Sequence, residues 1–188
     1  MARGTRAAPP PGTWTHALCA CAEDPTLACS ICWCQCNAAG QMYARTTSNA
    51  PNRARVCLAV SGGLWVLAIL SYGLSQSSNV LARMAIDTEC TLWGYCQDVV
   101  DWDQVAAAYV LAIFGCISGI ALSALCITVV CTSRRRLRAR DAIPPNDCED
   151  CCVGYWCACC ALVQMFRQER IGGGSYAACS ATGEVDAV

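Results

Sequence analysis

Apolar and polar positions along this chain are sorted into blocks rather than into periodic stripes. The longest apolar block is residues 105–131, VAAAYVLAIFGCISGIALSALCITVVC, which holds no charge and is followed by SRRRLRAR. About 20 apolar residues cover a ~30 Å hydrocarbon core, so this block predicts a transmembrane helix with length to spare for tilt. A second uncharged run, VCLAVSGGLWVLAILSYGLSQ at residues 56–76, predicts a first span, with a buried core helix as the alternative. Between the two, residues 77–104 carry Arg83 against Asp87, Glu89, Asp98, Asp101 and Asp103, whereas arginines flank the pair on both outer sides. Carrying Arg134, Arg135, Arg136, Arg138 and Arg140 across lipid would cost ~2.5–3.5 kcal/mol each at the helix centre. Both termini are therefore expected in the cytosol and the acidic loop on the lumenal or external side. The fold class is an α-helical membrane protein, a two-span transmembrane hairpin with two cysteine-rich cytosolic blocks.

The remaining pattern divides the flanks. Residues 1–12, rich in Ala, Arg, Pro and Gly, are expected to be disordered, and no secretory leader is expected because no apolar stretch follows them directly. Residues 13–41 form the first cysteine block. Its apolar stretch, residues 27–36, is too short to cross a bilayer and would at most lie in the interface. Residues 42–55 read as a polar linker. Residues 132–147 read as a basic flank and proline linker, in which Pro144 and Pro145 stop the helix. Residues 148–171 form the second block, whose part from Cys157 to Ile171 is expected to be amphipathic, with Leu162, Met165 and Phe166 toward the membrane or a core. The tail, residues 172–188, reads as unstructured. Gly115, Gly119 and Ser123 recur at steps of four in the long span and form a small-residue groove for another helix, the first span through Gly62 and Gly63 or another subunit.

Composition changes the picture through cysteine. Nineteen of 188 residues are cysteine, a count that demands disulfides, metal, lipidation or a mixture. The net charge of −1 predicts no nucleic-acid partner, since the one basic cluster sits where a membrane-flanking cluster belongs. Cys90 and Cys96 in the acidic loop form a disulfide candidate on the oxidising side, with two free thiols as the alternative. The cytosolic blocks face a reducing space, where thiolates select Zn²⁺, Cd²⁺ or Cu(I). Cys29, Cys32, Cys34 and Cys36 in the first block and Cys148, Cys151, Cys152, Cys157, Cys159 and Cys160 in the second are the metal candidates. In extended backbone C-x-C-x-C at residues 32–36 puts three sulfurs on one face; on a helix only Cys32 and Cys36 align. Acylated or merely buried cysteines are the alternative. Cys57, Cys116, Cys126 and Cys131, in or at the ends of the spans, read as small packing residues, with membrane-edge acylation of Cys57 or Cys131 as the alternative. His16 is the only histidine, and no arrangement of nucleophile, base and carboxylate is evident, so an enzyme is not expected.

These blocks resemble a known family. Trp14, Leu18-Cys19, Cys21, Asp24, Cys29, CWCQC at residues 32–36 and Gly40-Gln41 resemble the N-terminal motif of the placenta-specific-eight family, which includes plant cadmium resistance and cell number regulator proteins. RRRLRARDAIPP with Asp147-Cys148, Cys151, Cys157, Cys160-Ala161-Leu162, Gln164, Arg167 and Glu169 is similar to its C-terminal motif. The family's C-P-C stands here as Cys34-Gln35-Cys36, and Cys159 replaces a usual proline. The resemblance implies a self-associating protein, often of the plasma membrane, linked to cadmium and zinc export, calcium influx or control of cell number. Two spans enclose no pore alone, so transport implies a homo-oligomer. The expected function is soft-metal binding at cytosolic thiolates for resistance or transport; the alternative is a membrane-anchored regulatory scaffold with acylated or structurally zinc-bound cysteines.

Overall fold

The computed structural model describes residues 12–18, 20–47, 52–90, 96–180 and 183, without the side chains of residues 86–99. A 3-10 turn, Ala20–Glu23, leads into helices α1 (Pro25–Trp33), α2 (Gln35–Thr47) and α3 (Arg53–Met84). A two-stranded ribbon follows, β1 (Ile86–Cys90) and β2 (Cys96–Val100), and then α4 (Trp102–Arg140), α5 (Asp147–Trp156) and α6 (Ala158–Gln168). The chain divides into two compact units, residues 1–63 with 125–188, and residues 64–124.

The second unit is built on the apolar runs. Both expected spans are helical, and both helices are longer than their uncharged stretches. Within this unit α3 and α4 run antiparallel: the Ser71 hydroxyl donates to the Gly115 carbonyl at 3.2 Å and the Ser78 hydroxyl to that of Ala108 at 2.8 Å. The small-residue groove is used at two of its three positions. A Cβ on Gly115 would lie 3.4 Å from the Ser75 nitrogen, and one on Gly119 3.1 Å from the Ser71 hydroxyl. Ser123 instead donates to the Gly119 carbonyl of its own helix, and Gly62 and Gly63, the expected partners, meet nothing within 4 Å. Ser71, Leu74 and Ser75 take the place of those glycines because they are the α3 residues that lie at the depth of Gly115.

The acidic loop holds a ribbon that a reading of its charges did not anticipate. Its antiparallel register sets Cys90 opposite Cys96. Directly opposed cross-strand positions have Cα separations of about 4.5–5.5 Å, within the reach of a disulfide. The two side chains themselves lie outside the described residues.

The first unit is a small helical module whose centre is α6. Leu162, Met165 and Phe166 are buried, not turned to lipid, against Leu27 and Ile31 of α1 and Ala38, Ala39 and Met42 of α2. Helix α1 is thus a core helix and not an interfacial one. It starts where Asp24 Oδ1 accepts from the Leu27 N–H at 3.0 Å and Pro25 pre-sets the first turn. The supposed linker is helical as far as Thr47, because Met42 and Ala44 pack inward while Gly40 lets α2 approach α3. A Cβ there would stand 3.0 Å from Ser61 and 3.1 Å from the Cys57 carbonyl. Helix α4 ends at Arg140 with Ala142 at φ 55° and a bond from the Ile143 N–H to the Arg138 carbonyl, a left-handed cap just ahead of the two prolines.

The described part of the tail is ordered, contrary to its composition. Tyr176 is buried edge-on against Phe166, with ring centroids 5.0 Å apart. The Gln41 side chain donates to the carbonyls of Ala177, Ala178 and Ser180 and accepts from the Tyr176 hydroxyl. Gly173 allows the return: its N–H donates to Asp24 Oδ2 at 2.8 Å, and a Cβ would meet Thr26 at 2.8 Å.

Candidate functional site

The two cysteine blocks meet at the junction of α5 and α6. Cys157 is at once the last cap of α5 and the N-cap of α6, and Cys159 and Cys160 occupy the first turn of α6. The Cys157 and Cys160 sulfurs are 2.6 Å apart. From the first block, Cys21 in the 3-10 turn faces Cys160, and Cys32 on α1 faces Cys159. Cys159 donates weakly to the Gln35 side-chain oxygen at 3.6 Å. Five sulfurs from sequence positions more than a hundred residues apart therefore share one neighbourhood.

Two of these thiols, Cys159 and Cys160, are held protonated. Burial, then Cys32 and the neighbouring thiols, push Cys159 up to about 12. Burial, then Cys157 and Cys21, raise Cys160 well above an ordinary thiol. Burial also raises Cys36. A soft cation would capture these groups by displacing their protons.

The donor chemistry fits a thiolate-bound ion, but the side chains are not closed on one. Among the described residues no three Cys, His, Asp or Glu groups converge on a common point. With Zn–S near 2.3 Å, sulfurs of a tetrahedral site sit about 3.8 Å apart, so Cys157 and Cys160 would have to part by roughly 1 Å.

The metal candidates read from sequence separate into groups. Cys32, Cys157, Cys159 and Cys160 come together. Cys21, which is not among the metal candidates read from the sequence, joins them. Cys34 caps α1 and Cys36 lies in α2, so the run is neither one strand nor one helix, and Cys34 faces Tyr176 instead. Cys29, Cys148, Cys151 and Cys152 are exposed, the last two pairing with Cys131 and Cys148 respectively. Cys57 and Cys131 are buried as packing residues, Cys126 is half-buried and Cys116 is exposed. His16 pairs with Glu23 at 3.7 Å and is no part of the cluster.

The basic flank after the long span is, in part, a buried ion cluster. Arg134 and Asp150 are 0 % exposed and Arg138 is 5 %. Asp150 Oδ1 accepts from Arg134 Nε at 2.8 Å and Arg138 Nε at 3.0 Å, and Glu149 adds oxygens at 3.5 and 3.0 Å from their outer nitrogens. The Trp14 ring lies under both guanidinium groups, at 4.6 and 5.3 Å. Gln164 on α6 accepts from Arg134 Nη1 at 2.7 Å and donates to the His16 carbonyl at 2.7 Å, while Gln168 accepts from the Thr15 N–H and donates to Asp141. Arg167 pairs with Glu23, and Arg140 with Glu169. Trp14, Asp24, Gln41, Gln164, Arg167 and Glu169, which carry much of the motif resemblance, are thus the residues that tie the two blocks into one module.

A family model described as PLAC8 family matches residues 14–168. Cell number regulator 9 of Zea mays is 26% identical over 162 residues, covering 86% of this chain and 61% of that protein. Cell number regulator 7 of Zea mays is 26% identical over 160 residues, 85% of this chain and 59% of that protein. Cell number regulator 4 of Zea mays is 43% identical over 56 residues, 30% of this chain and 35% of that protein. The chain therefore spans less than two thirds of the length of these relatives. No solved structure matches.

Proposed function

The chain belongs to the PLAC8 family, and on that premise we propose that it is a non-enzymatic, two-span membrane protein that captures a soft divalent metal, zinc or cadmium, at cytosolic thiols. The observation that carries the reading is the meeting of Cys21 and Cys32 with Cys157, Cys159 and Cys160. Soft thiol donors from two blocks, in the 3-10 turn, near the end of α1 and at the start of α6, are the donor set such ions select. The metal is cargo: binding displaces thiol protons, and the ion cluster holds the two blocks in register.

The spanning part of the reading is supported by exposure. Only 17% of the most apolar window of α3 and 6% of that of α4 is buried, and Val66, Ile69, Tyr72, Ile113, Phe114 and Ile120 all face outward. A core helix of a soluble protein would cover them. Cytosolic termini follow from the arginine flanks, plasma-membrane residence from the family alone, and transport of the ion would take a homo-oligomer, because two helices enclose no pore.

A second reading, a membrane-anchored regulator without transport, is favoured by the name shared by the maize relatives, cell number regulator. Elemental analysis of detergent-purified protein from reducing conditions separates the two. Zinc or cadmium near one ion per chain, lost in Cys157→Ser/Cys160→Ser and kept in Cys148→Ser/Cys151→Ser, is the expected result; metal-free wild-type protein after loading refutes capture and leaves the regulatory reading.

A further inference from the structure

The outward face of α5 carries a stripe that the thiol cluster does not use. Cys148, Cys151, Cys152, Tyr155 and Trp156 fall at positions i, i+3, i+4, i+7 and i+8, one face of a helix. All five are exposed, Trp156 to 81%, and the Tyr155 and Trp156 rings meet edge-on at 4.8 Å. The inward face is pinned to the end of α4 at two heights. Near its start, Asp150 binds Arg134 and Arg138. One turn later, Gly154 lies so close to α4 that a Cβ would stand 3.1 Å from the Cys131 sulfur and 3.7 Å from the Ile127 carbonyl.

These contacts give α5 a direction. Its acidic first turn lies at the arginine layer, and its aromatic last turn lies beside Ile127–Cys131, the closing residues of the uncharged run. From Asp150 to Trp156 the axis advances about 9 Å at 1.5 Å per residue. A helix with its charges at the arginines and an exposed Tyr–Trp pair at the edge of the hydrocarbon sets those amphipathic rings at the headgroup level they favour.

We propose that α5 dips from the arginine layer into the headgroup–acyl boundary of that leaflet, with Cys148, Cys152, Tyr155 and Trp156 facing lipid. This rests on the reading that α3 and α4 cross a bilayer. The occupant of the stripe is the bilayer and not a protein, because the helix that carries it packs beside Ile127–Cys131, the last residues of the uncharged run. The cysteines of the stripe act there as small apolar side chains.

The test uses tryptophan quenching in the full chain reconstituted into phosphatidylcholine vesicles, with bromine on the acyl chains near the headgroup or near the chain end. Subtracting the spectra of Trp156→Phe, Trp65→Phe and Trp14→Phe from wild type isolates each ring. Trp156 is expected to lose most of its emission to the shallow bromine, Trp65 in α3 to be quenched by brominated lipid, and Trp14, stacked on the arginines, to be unaffected. Quenching of Trp65 without Trp156 overturns the placement of α5 and leaves the spanning helices standing. Quenching of neither overturns both. Trp156 that is dark to brominated lipid and to aqueous iodide alike also overturns it, since a second protein chain would then cover the stripe.

Discussion

Asp150→Ala is the sharpest probe of how the two blocks are held together. The carboxylate is fully buried and accepts from two buried arginines at 2.8 and 3.0 Å, so its removal leaves two guanidinium charges desolvated. Breaking a buried ion pair by deleting one partner costs about 3–5 kcal/mol. Glu149 within 3.5 Å and Gln164 at 2.7 Å remain as partial substitutes, which puts the expected loss near the lower end, about 3 kcal/mol. Asp147→Ala is the matched control. Asp147 binds Arg135 at 2.8 Å, but the two side chains are 70% and 51% exposed, and such a pair contributes about 1 kcal/mol or less. Denaturant unfolding in a non-ionic detergent, followed by near-ultraviolet circular dichroism of the stacked Trp14, reads both variants. Replacing the three buried charges together, Arg134→Met, Arg138→Met and Asp150→Leu, is expected to recover most of the loss, because no unpaired charge then remains. If Asp150→Ala costs no more than Asp147→Ala, the arginines are solvated or lipid-facing in the protein and the ion cluster does not hold the module.

Other outcomes follow from single contacts. Gln41→Ala removes the amide that binds three tail carbonyls and the Tyr176 hydroxyl, and protease cleavage after Tyr176 is expected to become fast while the helical content of the module stays intact. Ala142→Gly relieves a non-glycine residue at φ 55° and is expected to stabilise the chain by about 1 kcal/mol in the same unfolding assay. The metal-free protein is expected to lose stability as pH rises above about 8.5, the ordinary thiol value, because Cys159 and Cys160 titrate higher when folded than when unfolded; below that pH their contribution is complete. At the acid end Asp141, which burial would raise but hydrogen bonds from Arg140 and Gln168 hold below its ordinary value, contributes stability that is lost as pH falls below about 4. Unfolding midpoints that are flat from pH 3 to 10 would contradict both.

The long apolar runs were legible because a span is written locally, in uninterrupted composition and in the charges that flank it. The end of α4 was legible for the same reason, from Pro144-Pro145 just beyond it, whereas the Asp24-Pro25 start of α1 was not read. What the sequence hid depends on partners far away along the chain. Arg134 looks the same whether it meets a phosphate or Asp150, sixteen residues on. The tail, rich in Gly and Ser, reads as disordered because nothing local reveals that Gln41, more than a hundred residues earlier, binds its carbonyls. Cys21 and Cys32 lie on separate turns and share a neighbourhood only because α6 carries Cys159 and Cys160 to both. The ribbon in the acidic loop has a mixed polar pattern, and its pairing is imposed by the antiparallel helices that bring its ends together.

The most direct test of the central claim is X-ray absorption at the cadmium edge of the cadmium-loaded protein, wild type beside Cys21→Ser and Cys148→Ser. Capture by thiols of both blocks predicts an all-sulfur first shell, with one sulfur replaced by a lighter atom in Cys21→Ser and no change in Cys148→Ser. A first shell dominated by oxygen, or one altered by Cys148→Ser and indifferent to Cys21→Ser, would contradict it.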